Sequence, residues 1–545
     1  MTVLTESKES ESVSRKQGES FRFPLGMTLI ALLLGLVFEI LFYGHSIGIS
    51  FPIMAFLCMV ALLGVARLER RTCARETILF GVPILFFSIM VLLRREPLTV
   101  FLNVVFTLCL FALWVRSFRM GRVLEYGWLD IGLTFIAVPL DAWIRPWSVL
   151  GSAQKAVFKE GERRGVLLAI LRGIVLAIPI LVIFLALLTT ADLVFADRVE
   201  AALKWLDMER LAEYAGRGIL VILSGLFFLG ALVSALRDVG ERKLIGEEKA
   251  ILKPFLGIIE TVVVLGAVNL LFASFVLIQF AYLFGGEANI NLAGYTYSEY
   301  ARRGFSELVV VGILSLALIL SFAWWTKREG RKVQSWFNAL GCLLIVQVGI
   351  ILASALKRLL LYEQAYGFTR LRTYTHVFIP WMGILLLVFL ALLLVGKVRY
   401  FAVAVSLGAM GFLVTLNLLN IDAFIVKRNI ARLDESGEVD IGYLAGLSED
   451  AVPSLAYFAD GASGEIREAL MPELACWQVQ LVDQLEEHQW PSFHLSLSTA
   501  NRILSDLVEE FRPYTVHQEY WGQWQVEYQG ESAVCHHQWW LAGMD

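Results

Sequence analysis

Residues 377–420 read VFIPWMGILLLVFLALLLVGKVRYFAVAVSLGAMGFLVTLNLLN. Two apolar runs, 377–396 and 400–420, are separated only by Lys397, Val398 and Arg399. Each has about 20 residues, the length a helix needs to cross about 30 Å of hydrocarbon at about 1.5 Å per residue. Neither run contains a charged side chain. The pattern stops at Asp422. From there to the end the chain holds 21 acidic and 6 basic side chains, a net of −15, while the preceding part holds 40 basic and 29 acidic, a net of +11. Two solvents shape the chain, lipid as far as residue 420 and water beyond it.

The same pattern repeats toward the N-terminus. Further spans are predicted near 25–43, 48–66, 77–93, 98–115, 165–188, 218–236, 256–285, 306–325 and 338–356, which makes about eleven in all. Composition agrees: 57% of the 545 residues are hydrophobic, 18% are charged, and the mean hydropathy is +0.67. Soluble chains sit nearer 45–50% apolar and about 25% charged. Residues 1–22 are polar and read as a disordered tail rather than a cleaved leader, because ten further spans follow the first. Segment 127–147 is interrupted by Pro139, Asp141, Arg145 and Pro146 and flanked by Trp128, Trp143 and Trp147. It suits an interfacial or half-inserted helix and is left uncrossed.

The expected architecture is all-α: a polar tail (1–22), a polytopic transmembrane helix bundle (23–420) and a small, mainly helical, acidic soluble domain (421–545). In that last domain, Ser448-Glu449-Asp450 is expected to cap a helix starting near Ala451, with Pro453 in its first turn. Further helices are expected over 465–488 and 498–511. The even spacing of Tyr514, Val516, Tyr520, Trp524, Val526 and Tyr528 predicts a strand or hairpin, and those residues read as a small core before they read as a binding face.

Loop charge sets the orientation. The tail and the loops on its side hold 27 Lys and Arg, and the opposing loops hold 12. The positive-inside rule puts the N-terminus in the cytoplasm and, after an odd number of spans, the acidic domain outside. Lys427, Arg428 and Arg432 directly after the last span pull against that assignment. Cys476 and Cys535 are the two cysteines of the exported domain and a candidate disulfide, with two unrelated thiols as the alternative.

Charge inside the spans is sparse. Glu39 and Arg172 lie close enough to an interface to snorkel. Glu260 and Asn269 are out of phase on one helix. Gln347 and Ser354 share a face, which a hydrogen bond between helices explains as well as a transport path does. A strongly ion-coupled pump is disfavoured, and no nucleotide, hydrolase or metalloprotease motif occurs. The sequence implies no catalytic residue, cofactor or metal, and its acidity argues against nucleic acid.

Two polar loops stand out. Gly294–Phe305 (GYTYSEYARRGF) supplies Tyr297, Glu299, Tyr300 and Arg302; Tyr362–Arg372 (YEQAYGFTRLR) supplies Tyr362, Glu363, Tyr366, Arg370 and Arg372. Tyrosine, carboxylate and guanidinium together suit an anionic or sugar-like ligand or a lipid head group. The plainer alternative, interfacial tyrosines with structural ion pairs, is preferred.

These loops, with NIDAFIVKRNIARL (420–433) and VDIGYLAGLSEDAVPSL (439–455), resemble a bacterial multipass membrane family filed as domain of unknown function number 4173, with its 4153 relatives. The likeness runs from about Val166 to Leu455 and on into the soluble part. It implies a bacterial inner-membrane protein and brings no known activity. Three functions are weighed: a non-enzymatic sensor or envelope scaffold that presents the soluble domain to a protein partner; a transporter or channel-like protein for a small polar or lipid-linked solute; and an enzyme on a lipid-linked substrate, using Glu299, Glu363 and Arg370. The first is preferred, and membrane lipid is the other expected partner.

Overall fold

Apolar runs of span length fold as helices because lipid offers their backbone no other hydrogen-bond partner. The computed structural model describes residues 21–150, 208–237, 254–283, 305–327, 330–437, 439–462, 464–487, 489–519 and 523–536, with isolated positions between 177 and 198. Before residue 420 it contains α1 (Pro24–Phe42), α2 (Ser50–Leu68), α3 (Gly81–Leu93, preceded by the single turn Arg75–Ile78), α4 (Pro97–Ser117), α5 (Trp128–Ile144), α6 (Met208–Leu236), α7 (Ile258–Leu283), α8 (Phe305–Trp325), α9 (Arg331–Tyr366), α10 (Arg370–Val395) and α11 (Phe401–Leu419). Among the described residues ten of these segments are long and apolar enough to cross a membrane. The predicted span 165–188, with Arg172, lies outside the described residues. The shorter α5, with Pro139 inside it, is not among the ten.

Contacts divide the chain into two units. The first comprises residues 1–86, 107–123 and 132–242, and the second residues 87–106, 124–131 and 243–545. In the first, α1 and α6 pass at glycine distance: a Cβ on Gly35 would come within 2.8 Å of the Gly225 nitrogen. Small residues at such a crossing let two backbones approach. Glu39, expected to snorkel, is instead buried against the Arg217 guanidinium. A carboxylate this close to hydrocarbon is retained because it has a charged partner. The α5 helix buries Thr134, Val138 and Ala142, and Asp141 pairs with Arg145 at 2.8 Å.

The second unit is built around α9. Its buried face, including Phe337, Leu344, Val348, Ile351, Ala355 and Leu359, packs with α7, α8 and α10. Polar residues on that face bond between helices. The Gln347 amide donates to the Asn269 carbonyl at 3.1 Å, and Ser354 and Arg358 donate to Gln279 at 2.8 and 2.9 Å.

Beyond the spans follow α12 (Ile421–Ser436), α13 (Ile441–Ala445), α14 (Val452–Gly461), α15 (Gly464–Glu487) and α16 (Leu495–Asp506). The last starts and ends earlier than the pattern over 498–511 suggested. Instead of a single hairpin there is an antiparallel three-stranded sheet, β1 (Thr515–Gln518), β2 (Trp524–Tyr528) and β3 (Glu531–Val534), in order β1-β2-β3. Tyr514, Val516, Trp524 and Val526 form a small core around a Cys476–Cys535 disulfide. His536 bonds Glu473 at 2.5 Å, and the Trp477 indole donates to the Ala445 carbonyl at 2.9 Å, tying α15 to α13.

Candidate functional site

The loop between α3 and α4 is only Arg94, Arg95 and Glu96. Pro97 opens α4 at a position where its missing N–H costs nothing. Glu96 serves that helix end directly, its carboxylate accepting from the Leu98 and Thr99 amides at 3.1 and 2.7 Å. An anion at a helix N-terminus also meets the positive end of the helix dipole. The Arg94 guanidinium donates twice to the Asn417 carbonyl, at 3.0 and 2.7 Å. Nearly two turns into α4, Asn103 and Asn417 exchange two amide hydrogen bonds of 2.9 and 2.8 Å.

A second tight turn, Gly367-Phe368-Thr369, joins α9 to α10. Gly367 has φ +75°, and a Cβ there would stand 2.5 Å from Asn429 Oδ1. Asn429 grips both sides of Phe368, accepting from its N–H at 2.7 Å and donating to its carbonyl at 2.9 Å. Arg432 donates to the Ala365 carbonyl at 3.3 Å. Two of the basic residues that follow the last span thus meet or neighbour this turn: Arg432 does so directly, and Arg428 lies over the Phe424 ring, which packs on Phe368.

The two turns meet the acidic domain in one buried cluster. Arg370, the first residue of α10, makes a bidentate pair with Asp422 at 2.9 and 2.6 Å and lies 3.9 Å from Glu96. Asp422 also accepts from the Ser448 amide and hydroxyl, at 2.8 and 2.6 Å. Asp450 accepts from the Arg95 and Glu96 amides at 2.8 and 3.3 Å, and Arg95 pairs with Glu449 at 3.1 Å. The Arg370 amide donates to the Tyr443 hydroxyl at 2.9 Å. Loops 94–96 and 367–369 and the acidic domain therefore lie on one face of the second unit.

Ser448-Glu449-Asp450 do not cap α14, contrary to the reading of their sequence. The residue before that helix is Ala451, and no side chain caps it. Ser448 and Asp450 are committed to Asp422 and to the α3–α4 loop. Asp422, Glu96, Glu449 and Asp450 are all buried. Burial pushes the Glu449 and Asp450 carboxyls above the ordinary carboxylate range, opposed by Arg95 for the first and by the Arg95 amide for the second. Burial likewise raises the Tyr443 hydroxyl. Ionised groups persist in such a place when partners replace the lost water.

The residues singled out from sequence fall differently. Arg370 is consumed by Asp422. Arg372 stacks on Tyr362 at 4.0 Å and donates to the Tyr366 and Gly367 carbonyls at 3.1 and 2.5 Å, closing the end of α9. Tyr362 and Tyr366 pack edge to face, 5.1 Å apart. Glu363 is buried and meets His376 Nδ1 at 2.9 Å, with its second oxygen unpartnered. Tyr297, Glu299, Tyr300 and Arg302 lie outside the described residues. Sequence reasoning missed Arg94, Arg95, Glu96, Asn103 and Asn417; the signal available was three consecutive charged residues, Arg94-Arg95-Glu96, between two apolar runs.

Spans, turns and cluster together define a polytopic membrane protein with a docked extramembrane domain. Residues 81–457 match the family described as Domain of unknown function (DUF4153), and the chain belongs to that family. The match reaches further upstream than Val166, so it takes in the α3–α4 loop and every residue of the buried cluster. No curated protein and no solved structure matches the chain.

Proposed function

We propose that this chain is a non-enzymatic sensor or envelope scaffold of a bacterial inner membrane, holding its acidic domain outside for a protein partner. The observation that carries the reading is the buried cluster. Arg370, Asp422, Ser448 and Asp450 tie that domain to two span-connecting turns, where a passive anchor would need only a linker. Among the described residues, Gln347, Ser354 and Gln279 are engaged in bonds between helices, which supports a structural use of these polar groups over a transport path. The outward side is supported by the loop charge, which puts turns 94–96 and 367–369 opposite the Lys- and Arg-rich loops. The likeness to the 4173 relatives supports the bacterial origin.

The test is affinity capture of the full chain from its native membrane, beside a chain lacking residues 433–545 and an Asp422→Ala chain. A partner held by the full chain and lost from both variants, at equal abundance, supports the scaffold. A partner that stays with the truncated chain overturns it. A membrane enzyme is the second reading, and what favours it is the Glu363–His376 pair, a buried acid beside a half-buried base. Glu363→Gln abolishing function with abundance intact would shift the assignment to catalysis.

A further inference from the structure

Helix α9 is longer than a span needs. Its 36 residues measure about 54 Å at about 1.5 Å per residue, against about 30 Å of hydrocarbon. Charge marks where the excess lies: Arg331 and Lys332 open the helix, Lys357 and Arg358 come late in it, and Val333 to Leu356 carry none. Trp324, at the end of α8, and Trp336, in the second turn of α9, are 45% and 63% exposed. Tryptophan gathers at the head-group level of a bilayer. The first two turns of α9 therefore stand at that level.

Helix α10 stops short of those turns. Gly341 lets the two helices meet, since a Cβ there would stand 3.0 Å from Leu393. Beyond that contact α10 runs only to Val395, whereas α9 runs back to Arg331, about 15 Å. The step holds a cavity of about 720 Å³, within the range of about 300–1,000 Å³ for small-molecule sites. Its lining is graded. Arg331, Gln334, Ser335 and Asn338 are polar, whereas Cys342, one turn deeper, and Leu394 of α10 are apolar. Gln334 donates to Asn338 Oδ1 at 2.8 Å, which leaves the Asn338 amide nitrogen as a donor. The Arg331 guanidinium and the Ser335 hydroxyl have no partner among the described residues, and no carboxylate among them lines the cavity.

We propose that this cavity binds the head group of an anionic phospholipid, with Arg331, Ser335 and Asn338 on the phosphate and the acyl chains leaving past Cys342 and Leu394. Donors that include a guanidinium, with no acid among them, select an anion. The graded lining selects an amphiphile over a free ion. Charge complementarity continues around the site: residues 327–332 hold four basic side chains against one acidic, and residues 397–399 hold two basic and no acidic. Basic pockets between spans on the Lys- and Arg-rich side of a membrane protein are where such head groups bind.

The test is native mass spectrometry of the full chain, stripped of lipid in detergent and offered equal amounts of phosphatidylglycerol and phosphatidylcholine with the same acyl chains. Retention of phosphatidylglycerol severalfold above phosphatidylcholine is expected, with a severalfold drop in Arg331→Gln and in Ser335→Leu. Both positions are exposed, and either variant alone carries the reading. Arg399→Gln removes a basic residue already engaged with Tyr400 and is expected to retain phosphatidylglycerol as the unaltered chain does. Equal retention of the two lipids overturns the proposal. So does undiminished retention in the cavity variants, or an equal drop in Arg399→Gln, which would mean diffuse charge and no built site. Displacement of phosphatidylglycerol by millimolar inorganic phosphate would assign the cavity to a free anion and overturns the lipid.

Discussion

Two parts of the acidic domain are held by opposite means. At residues 421–450 the hold is electrostatic and dispersed: Asp422, Glu449 and Asp450 reach the Arg370 guanidinium, the Arg95 guanidinium and the Arg95 and Glu96 amides on distant segments, while Ser448 donates to Asp422 within the stretch. At residues 515–535 it is covalent and local, one disulfide spanning 59 residues with a thin core around it. A cross-link steadies a fold mainly by restricting the unfolded chain and is indifferent to what lies beyond it. A buried ion pair depends on every partner keeping its place. The first kind of hold secures the sheet. The second makes the domain's own packing conditional on the membrane helices beneath it.

The strongest way to break this contrast is Asp422→Ala, which leaves Arg370 buried without its partner. A loss of about 3–5 kcal/mol is expected, read as a lowered Tm and as early protease release of the acidic domain from the spans. Removing the disulfide by Cys476→Ala with Cys535→Ala should cost about 2–4 kcal/mol. Here protease should reach the sheet while the domain stays docked. If both variants release the domain alike, the two holds are not separate.

Asn417→Ala deletes one half of a buried amide exchange and should cost about 1 kcal/mol, since interhelical hydrogen bonds in membranes have modest net worth. Acidity sharpens the contrast further. The folded-state values of Glu449 and Asp450 are raised, so the native chain binds more protons than the unfolded one. Their contribution is complete below the ordinary carboxylate range and is lost as pH rises through the elevated values. The Tm of docking should therefore fall as pH rises through that window, and Glu449→Gln should flatten the slope. The smallest effect belongs to Arg512, whose ion pair with Glu509 is exposed. Arg512→Ala should change the Tm by no more than about 0.5 kcal/mol would.

The spans were legible because hydrophobic length alone decides them: ten described helices coincide with apolar runs. The docking cluster was not. Arg94 and Arg95 read as ordinary loop charge and Asp450 as a helix cap, since their meaning depends on segments more than 300 residues apart. Arg370 and Arg372 were conspicuous for their chemistry, yet the structure occupies both with the protein itself. Glu39 carried no sign of Arg217, which lies 178 residues away on another helix.

One residue separates the last span from the acidic domain. Asn420, left-handed at φ +51°, is the whole joint between α11 and α12. A joint of one residue has no slack, and Asp422 and Asn429, two turns apart on one face of α12, are pinned to Arg370 and Phe368 at the α9–α10 turn. The domain therefore cannot swivel alone. Torque applied to it passes into α11, and through Asn417 to Asn103 and Arg94 it pulls on the α3–α4 hairpin, as a key turns the tumblers of a lock.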